Sequence, residues 1–186
     1  MGFGLLEARA ARPGPPPKEP GDPALVARQL GVGENGTLIV FVHPRCGCTP
    51  RALETLARVV RNTSGVRIHA VFTIPPNATE EWRRSTSWDV ARSIPGATLH
   101  EDLGGRLAES AGATTSGHAI VLDASNRVVF AGGAVGAGHG GGAGDGSALT
   151  SLLSRTDTTP ATAPSVGCEL VLPDDRAPEV TPWAIP

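Results

Sequence analysis

Leu38 to Val42 is an unbroken apolar run, L-I-V-F-V, and it ends only a few residues before a segment of helical periodicity. A short, partly β-branched apolar run of this kind is the signature of a buried strand. Thr49 and Pro50 then read as an N-cap and an N1 proline. Leu53, Leu56, Ala57 and Val60 follow at helical spacing, so the helix predicted over 50–61 has one apolar face. Whatever the chain folds into must therefore bury this strand and lay that helix face on a core.

Two cysteines, Cys46 and Cys48, occupy the turn between the two elements, in the sequence H-P-R-C-G-C-T-P. Both sulfurs are predicted to lie at or just before a helix N-terminus, where unpaired amides and the macrodipole favour negative charge. A thiol there loses its proton more easily, and the thiolate is both the nucleophile and the metal-binding form. The site is thus predicted to be redox-active or a soft-metal ligand set. Residues two apart have Cα atoms roughly 5.5 to 7 Å apart, and a disulfide tolerates about 4.4 to 6.8 Å, so Cys46 and Cys48 can close on each other in a tight ring. Strain raises the reduction potential, which would make such a bond a better oxidant.

The rest of the chain alternates between the two kinds of element. A short helix is predicted over 23–30. Residues 66–73 alternate, with Val66, Ile68, Ala70 and Phe72 on one face, and Pro75 and Pro76 end this second strand. An irregular helix is predicted over 79–93, with Trp82 and Trp88 as packing anchors, followed by a strand at 97–101 and a helix at 103–110. Strands at 119–122 and 127–131 flank D-A-S-N, a hairpin signal. A last helix is predicted over 147–154. The order matches a central mixed β-sheet flanked by helices on both faces, an α/β three-layer sandwich.

Length and composition bound the organisation and exclude some functions. A chain of 186 residues suits one domain with a real core. Residues 1–23 are rich in proline, glycine and charge from Arg12 onward and read as a tether, residues 24–154 as the folded domain, and residues 155–186 as an extended tail carrying Cys168. The net charge of −2 is spread without a basic block, which argues against nucleic acid as a partner. The glycine-rich run 132–146 around His139 and Asp145 lacks G-x-x-x-x-G-K spacing, so no nucleotide is expected. No signal peptide or membrane span is visible.

Several other residues are candidates for the site. His43, three residues before Cys46, can favour the thiolate as base or imidazolium, ligate a metal, or simply hydrogen-bond the turn backbone. Cys168 follows a long stretch whose closure entropy grows only logarithmically, so it can reach the pair. There it would resolve a mixed disulfide, clamp the tail, or complete a metal site. Three thiolates and an imidazole, from Cys46, Cys48, Cys168 and His43, would suit copper or zinc. His139 and Asp145 read as solvated loop residues or a lid contact, and His69 and His100 as structural or surface groups.

The combination of strand, cysteine motif at a helix start, strand, helix and later hairpin resembles the thioredoxin fold over roughly residues 33–154. More narrowly, H-P-R-C-G-C-T-P, T-T-S-G-H-A-I-V-L-D, the glycine-rich run and the late G-C-E-L resemble bacterial thioredoxin-like proteins labelled RedB-like. The resemblance implies a thiol:disulfide oxidoreductase without a cofactor, acting on protein thiols or disulfides, with Cys46 as the attacking sulfur. It also implies an extracytoplasmic domain on the periplasmic side, held by a membrane tether whose upstream part is missing from this chain. In thioredoxins two residues separate the cysteines; here only Gly47 does, and Thr49 stands where the second cysteine belongs. The segment that faces the redox motif corresponds to T-S-G-H, which makes Ser116, Gly117 and His118 site-facing candidates. The rival expectation is a non-enzymatic copper or zinc module.

Overall fold

The computed structural model of the chain describes residues 15, 17, 21–32, 36–47, 49–63, 65–123, 125–133, 153, 161–165 and 167–170. Among the described residues six strands form one sheet: β1 (Thr37–Val42), β2 (Arg67–Ile74), β3 (Thr98–Leu103), β4 (His118–Leu122), β5 (Val128–Gly133) and β6 (Ala161–Ala163). Their order across the sheet is β3-β2-β1-β4-β5-β6. β1, β2 and β3 are parallel, β4 runs antiparallel to β1, β5 antiparallel to β4, and β6 parallel to β5. Among the described residues five helices with bounds accompany them: α1 (Pro23–Gln29), α2 (Thr49–Arg61), α3 (Glu80–Arg83), α4 (Thr86–Arg92) and α5 (Arg106–Ala111).

Every residue of β1 is buried, because the strand is central and each sheet face carries its own apolar layer. Leu38, Val40 and Val42 pack with Leu53, Leu56 and Val59 of α2 and with Trp88 and Ala91 of α4. Ile39 and Phe41 point the other way, toward Val26 of α1 and Ala108 and Ala111 of α5. The alternation read from β2 is the same device: Ile68, Ala70 and Phe72 share the first layer and Val71 the second.

Local chemistry sets the ends of these elements. The Asp22 carboxylate accepts from the Leu25 amide at 3.0 Å, with Pro23 opening α1. The Asp123 carboxylate accepts from the amides of Ser125 and Arg127, and Asn126 takes φ 58°, which closes the β4–β5 hairpin. The helix expected over 79–93 is two short helices. Ser85 is the reason: its extended backbone interrupts the first, and its hydroxyl accepts from the Trp88 amide at 3.3 Å, capping the second.

Residues 161–163, assigned by sequence to a tail, supply the sixth strand along β5, with Ala131 opposite Thr162. The helix expected over 147–154 falls, apart from Leu153, outside the described residues, as does most of the 1–23 tether. Among the described residues no helix is long and apolar enough to cross a membrane.

Trp88 joins α4 to this sheet, its ring centroid 4.3 Å from that of Phe72. Trp88→Ala is expected to lower stability by about 3 to 5 kcal/mol, read as an earlier denaturant midpoint at unchanged slope.

Candidate functional site

β1 leaves the sheet at the edge where β4 enters it, because the two strands are antiparallel with Val40 opposite Ala119. The turn after β1 is therefore beside the segment before β4. Three hydrogen bonds tie them: the Gly117 amide donates to the Phe41 carbonyl at 2.8 Å, the His43 amide to Ser116 Oγ at 3.0 Å, and the Ser116 and Thr49 hydroxyls meet at 2.9 Å. Gly117 has φ +92°, in the region glycine favours, so the chain can turn into β4 here. Thr49, read as an N-cap, is the first residue of α2, and its hydroxyl crosses to Ser116.

Cys46 sits at the centre of this arrangement, three residues before the first residue of α2, and only 3% of it is exposed. Its amide donates to the His43 carbonyl and its carbonyl accepts from the Thr49 amide, both at 3.1 Å, so the turn is closed on either side of the sulfur. The N-terminus of α2 faces this turn, which favours negative charge there. His43 is buried, and its Nδ1 accepts from the Arg45 amide at 3.2 Å. That nitrogen holds the turn backbone, one of the roles its position allowed.

Cys168 meets Cys46 directly. The two sulfurs are 2.8 Å apart, although 122 positions separate them in sequence. A disulfide bond is about 2.0 Å long, so bonding needs only a sub-ångström approach. The segment carrying Cys168 pairs with the backbone before β4 as a short antiparallel strap. The Ser116 amide donates to the Cys168 carbonyl at 2.8 Å, the Leu170 amide donates to the Thr114 carbonyl at 3.0 Å, and Thr115 bridges Glu169. A side chain at Gly167 would place its Cβ 2.6 Å from the Ser116 carbonyl oxygen, so only glycine permits this approach. Leu170 is 1% exposed and belongs to the apolar layer of α1 and α5.

His118 lies at the other end of the strap, with Nδ1 3.0 Å from Ser165 Oγ. Burial pushes its pKa down to about 4, because the protonated ring would lose hydration. Sequence reasoning placed Ser116, Gly117 and His118 facing the cysteine turn. Ser116 and Gly117 bond that turn, whereas His118 bonds the strap.

The structure also brings in Trp82, read from sequence as a packing residue. Its ring meets that of His43 edge-on at 5.5 Å between centroids, and the Arg45 guanidinium lies 4.4 Å above it. An aromatic residue in an irregular helix carries no signal for such a role. The ion pair of Arg45 with Glu81, 3.8 Å and exposed, adds little. His69 and His100 lie away from the cysteines and stack on each other, Nδ1 to Nε2 2.9 Å. Burial first, then the neighbouring His100 and Arg67 charges, lowers the His69 pKa to about 4.

Cys48, His139 and Asp145 fall outside the described residues. Among the described residues no three of His, Cys, Asp and Glu are grouped to hold a metal; the copper or zinc set includes Cys48.

No protein-family model and no curated protein matches the chain. Solved structures do. A hypothetical protein from Sinorhizobium meliloti matches with a TM-score of 0.58 at 22% identity, over 74% of this chain and 79% of its own. An uncharacterized conserved protein from Geobacillus kaustophilus matches with a TM-score of 0.55 at 18% identity, over 86% and 90%. A secreted Mycobacterium tuberculosis disulfide oxidoreductase homologous to E. coli DsbE matches with a TM-score of 0.47 at 12% identity, over 79% and 97%.

The fold is thioredoxin-like. Its strand order places a cysteine turn after the central strand and a facing segment before the antiparallel strand beside it.

Burial depresses three histidines, His69, His100 and His118, and together they dictate a pH dependence. Between pH 6.5 and about 4 the unfolded chain takes up protons at His69 and His118 that the folded chain refuses. Stability is therefore full above pH 6.5 and falls as the pH drops toward 4. Denaturant midpoints measured across that window are expected to fall for the parent protein, and to fall less steeply for His69→Gln.

Proposed function

We propose that the protein carries out thiol:disulfide exchange with protein thiols or disulfides, using Cys46 as one sulfur of a dithiol/disulfide couple. The observation that carries this reading is the 2.8 Å approach of Cys168 Sγ to a buried Cys46 Sγ in front of a helix N-terminus. Two cysteines so close exchange between dithiol and disulfide without rebuilding the fold, which a redox couple needs. The geometry favours Cys168 as the intramolecular partner of Cys46. Cys48 belongs to the couple on sequence grounds, through the C-x-C spacing.

His43 supports the chemistry by holding the turn, through Nδ1 and the Arg45 amide and through its own amide and Ser116 Oγ. Trp82 and Arg45 border that turn. A disulfide of this kind persists in an oxidising compartment, so an extracytoplasmic, membrane-tethered domain is the setting this reading implies. The likeness to the RedB-like group, carried by H-P-R-C-G-C-T-P and the late G-C-E-L, fits the same setting. The Mycobacterium tuberculosis protein described as a secreted disulfide oxidoreductase has a compatible chemistry.

Two measurements test the proposal. After treatment with glutathione disulfide, non-reducing peptide mapping is expected to recover a peptide cross-linked through Cys46 and Cys168. In a turnover assay that follows reduction of a protein disulfide by dithiothreitol, the double variant Cys46→Ser/Cys168→Ser is expected to lose roughly a hundredfold or more of the protein's contribution. A parent protein whose thiols neither cross-link nor form mixed disulfides would end the exchange reading.

A further inference from the structure

The strap does more than deliver a second sulfur: it covers the first. Gly167 is buried against the Ser116 carbonyl, the Cys168 carbonyl and Leu170 amide pair with Ser116 and Thr114, and the Leu170 side chain is seated in the core. Ser165 adds a contact with His118 on the near side. Cys168 is thus held on both flanks. Beneath it Cys46 is 3% exposed, while Cys168 is half-buried. A partner molecule approaching the pair reaches the sulfur of the strap before that of the helix turn. The strap already occupies the Thr114 carbonyl and the Ser116 amide on the edge of residues 114–116.

Resting on the exchange reading above, we propose that Cys168 is the sulfur that meets the partner and that Cys46, covered by the strap, is the internal sulfur that leaves and resolves. This reverses the order expected from the thioredoxin resemblance, in which Cys46 attacks. Starting from the Cys46–Cys168 disulfide and a partner dithiol, a partner thiolate attacks Cys168 Sγ. The internal S–S bond breaks, its electron pair goes to Cys46 as thiolate, and a Cys168–partner disulfide forms. Cys46 departs in front of the α2 N-terminus, where negative charge is favoured. The second partner thiolate then attacks the partner's own sulfur in the mixed disulfide and releases Cys168 as thiolate. The partner dithiol is oxidised by two electrons, the internal disulfide is reduced by two, and the two partner protons end on Cys46 and Cys168 or in solvent. The reverse reaction follows the same steps, with Cys168 attacking a partner disulfide and Cys46 resolving it.

The test follows mixed-disulfide formation between glutathione disulfide and the reduced full chain by intact mass at neutral pH. Cys48→Ser is present throughout, so only two sulfurs report. Cys46→Ser, which leaves Cys168, is expected to become glutathionylated roughly tenfold or more faster than Cys168→Ser, which leaves Cys46. Equal rates, or a faster Cys168→Ser protein, would overturn the assignment while leaving exchange intact. Absence of a mixed disulfide in both variants and of any oxidation in the parent would instead overturn the exchange reading. A second comparison reads the cover itself. Adding Leu170→Ala to Cys168→Ser is expected to speed the reaction of Cys46 by roughly tenfold, whereas Ile94→Ala, a truncation in the opposite apolar layer, leaves it unchanged. An unchanged rate with Leu170→Ala, or an equal gain with Ile94→Ala, would show that the strap does not shield Cys46.

Discussion

The burial of β1 on both faces and both edges governs the rest of the molecule. Its six residues have no exposed side, and their amides and carbonyls are shared between β2 on one edge and β4 on the other. Because β4 runs antiparallel, the exit of β1 and the entrance of β4 are one place in space. A turn at that place cannot drift, since moving it would slide β1 against two neighbours and transfer apolar side chains between layers. The cysteine turn inherits this rigidity, and the three bonds from Phe41, His43 and Thr49 to Ser116 and Gly117 are its local expression. A reactive sulfur held this way keeps its geometry at no cost in local ordering when a partner arrives.

The strap shows how a distant sulfur acquires similar precision. Closing a loop between positions 122 apart carries an entropic cost, but that cost grows only slowly with length and is met once, by contacts other than the sulfurs. β6 joins β5, Gly167 lies against the Ser116 carbonyl, and Leu170 fills a place among Ile39, Phe41 and Ile120. The two sulfurs thus face each other through non-covalent packing. On the exchange reading, a disulfide across so long a loop would constrain the unfolded chain strongly, and oxidation would then tie global stability to redox state.

Local pattern was enough to read most of the architecture. The L-I-V-F-V run, the alternation of 66–73 and the D-A-S-N hairpin each correspond to an observed element, because burial periodicity and turn chemistry are local properties. The irregular stretch 79–93 was harder, since a Ser in mid-helix and an Ser acting as a cap look alike until the backbone turns at Ser85. β6 was not legible: Ala161 to Ala163 is neither apolar nor alternating, and its pairing comes from lying beside β5. The site divides in the same way. Cys46, Ser116 and Gly117 follow from position in the strand order, whereas the contact of Cys168 with Cys46 arises from long-range backbone pairing that leaves no spacing to read. Trp82 joins the turn only through tertiary packing against His43 and Arg45.

The departures from the thioredoxin pattern become coherent once the strap is included. Where thioredoxins carry a second cysteine, Thr49 uses its hydroxyl to meet Ser116 Oγ, so this position positions the facing segment. That segment, with its amides and carbonyls arranged by Ser116 and Gly117, receives 168–170 as an added strand. A sulfur on the strap differs from a helix cysteine in one respect: it is carried by backbone outside α2 and meets Cys46 from the segment paired before β4. The short C-x-x-C arrangement fixes both sulfurs to one helix end and one electrostatic environment. Here the environments differ, with Cys46 in front of α2 and Cys168 on the strap paired to the segment before β4.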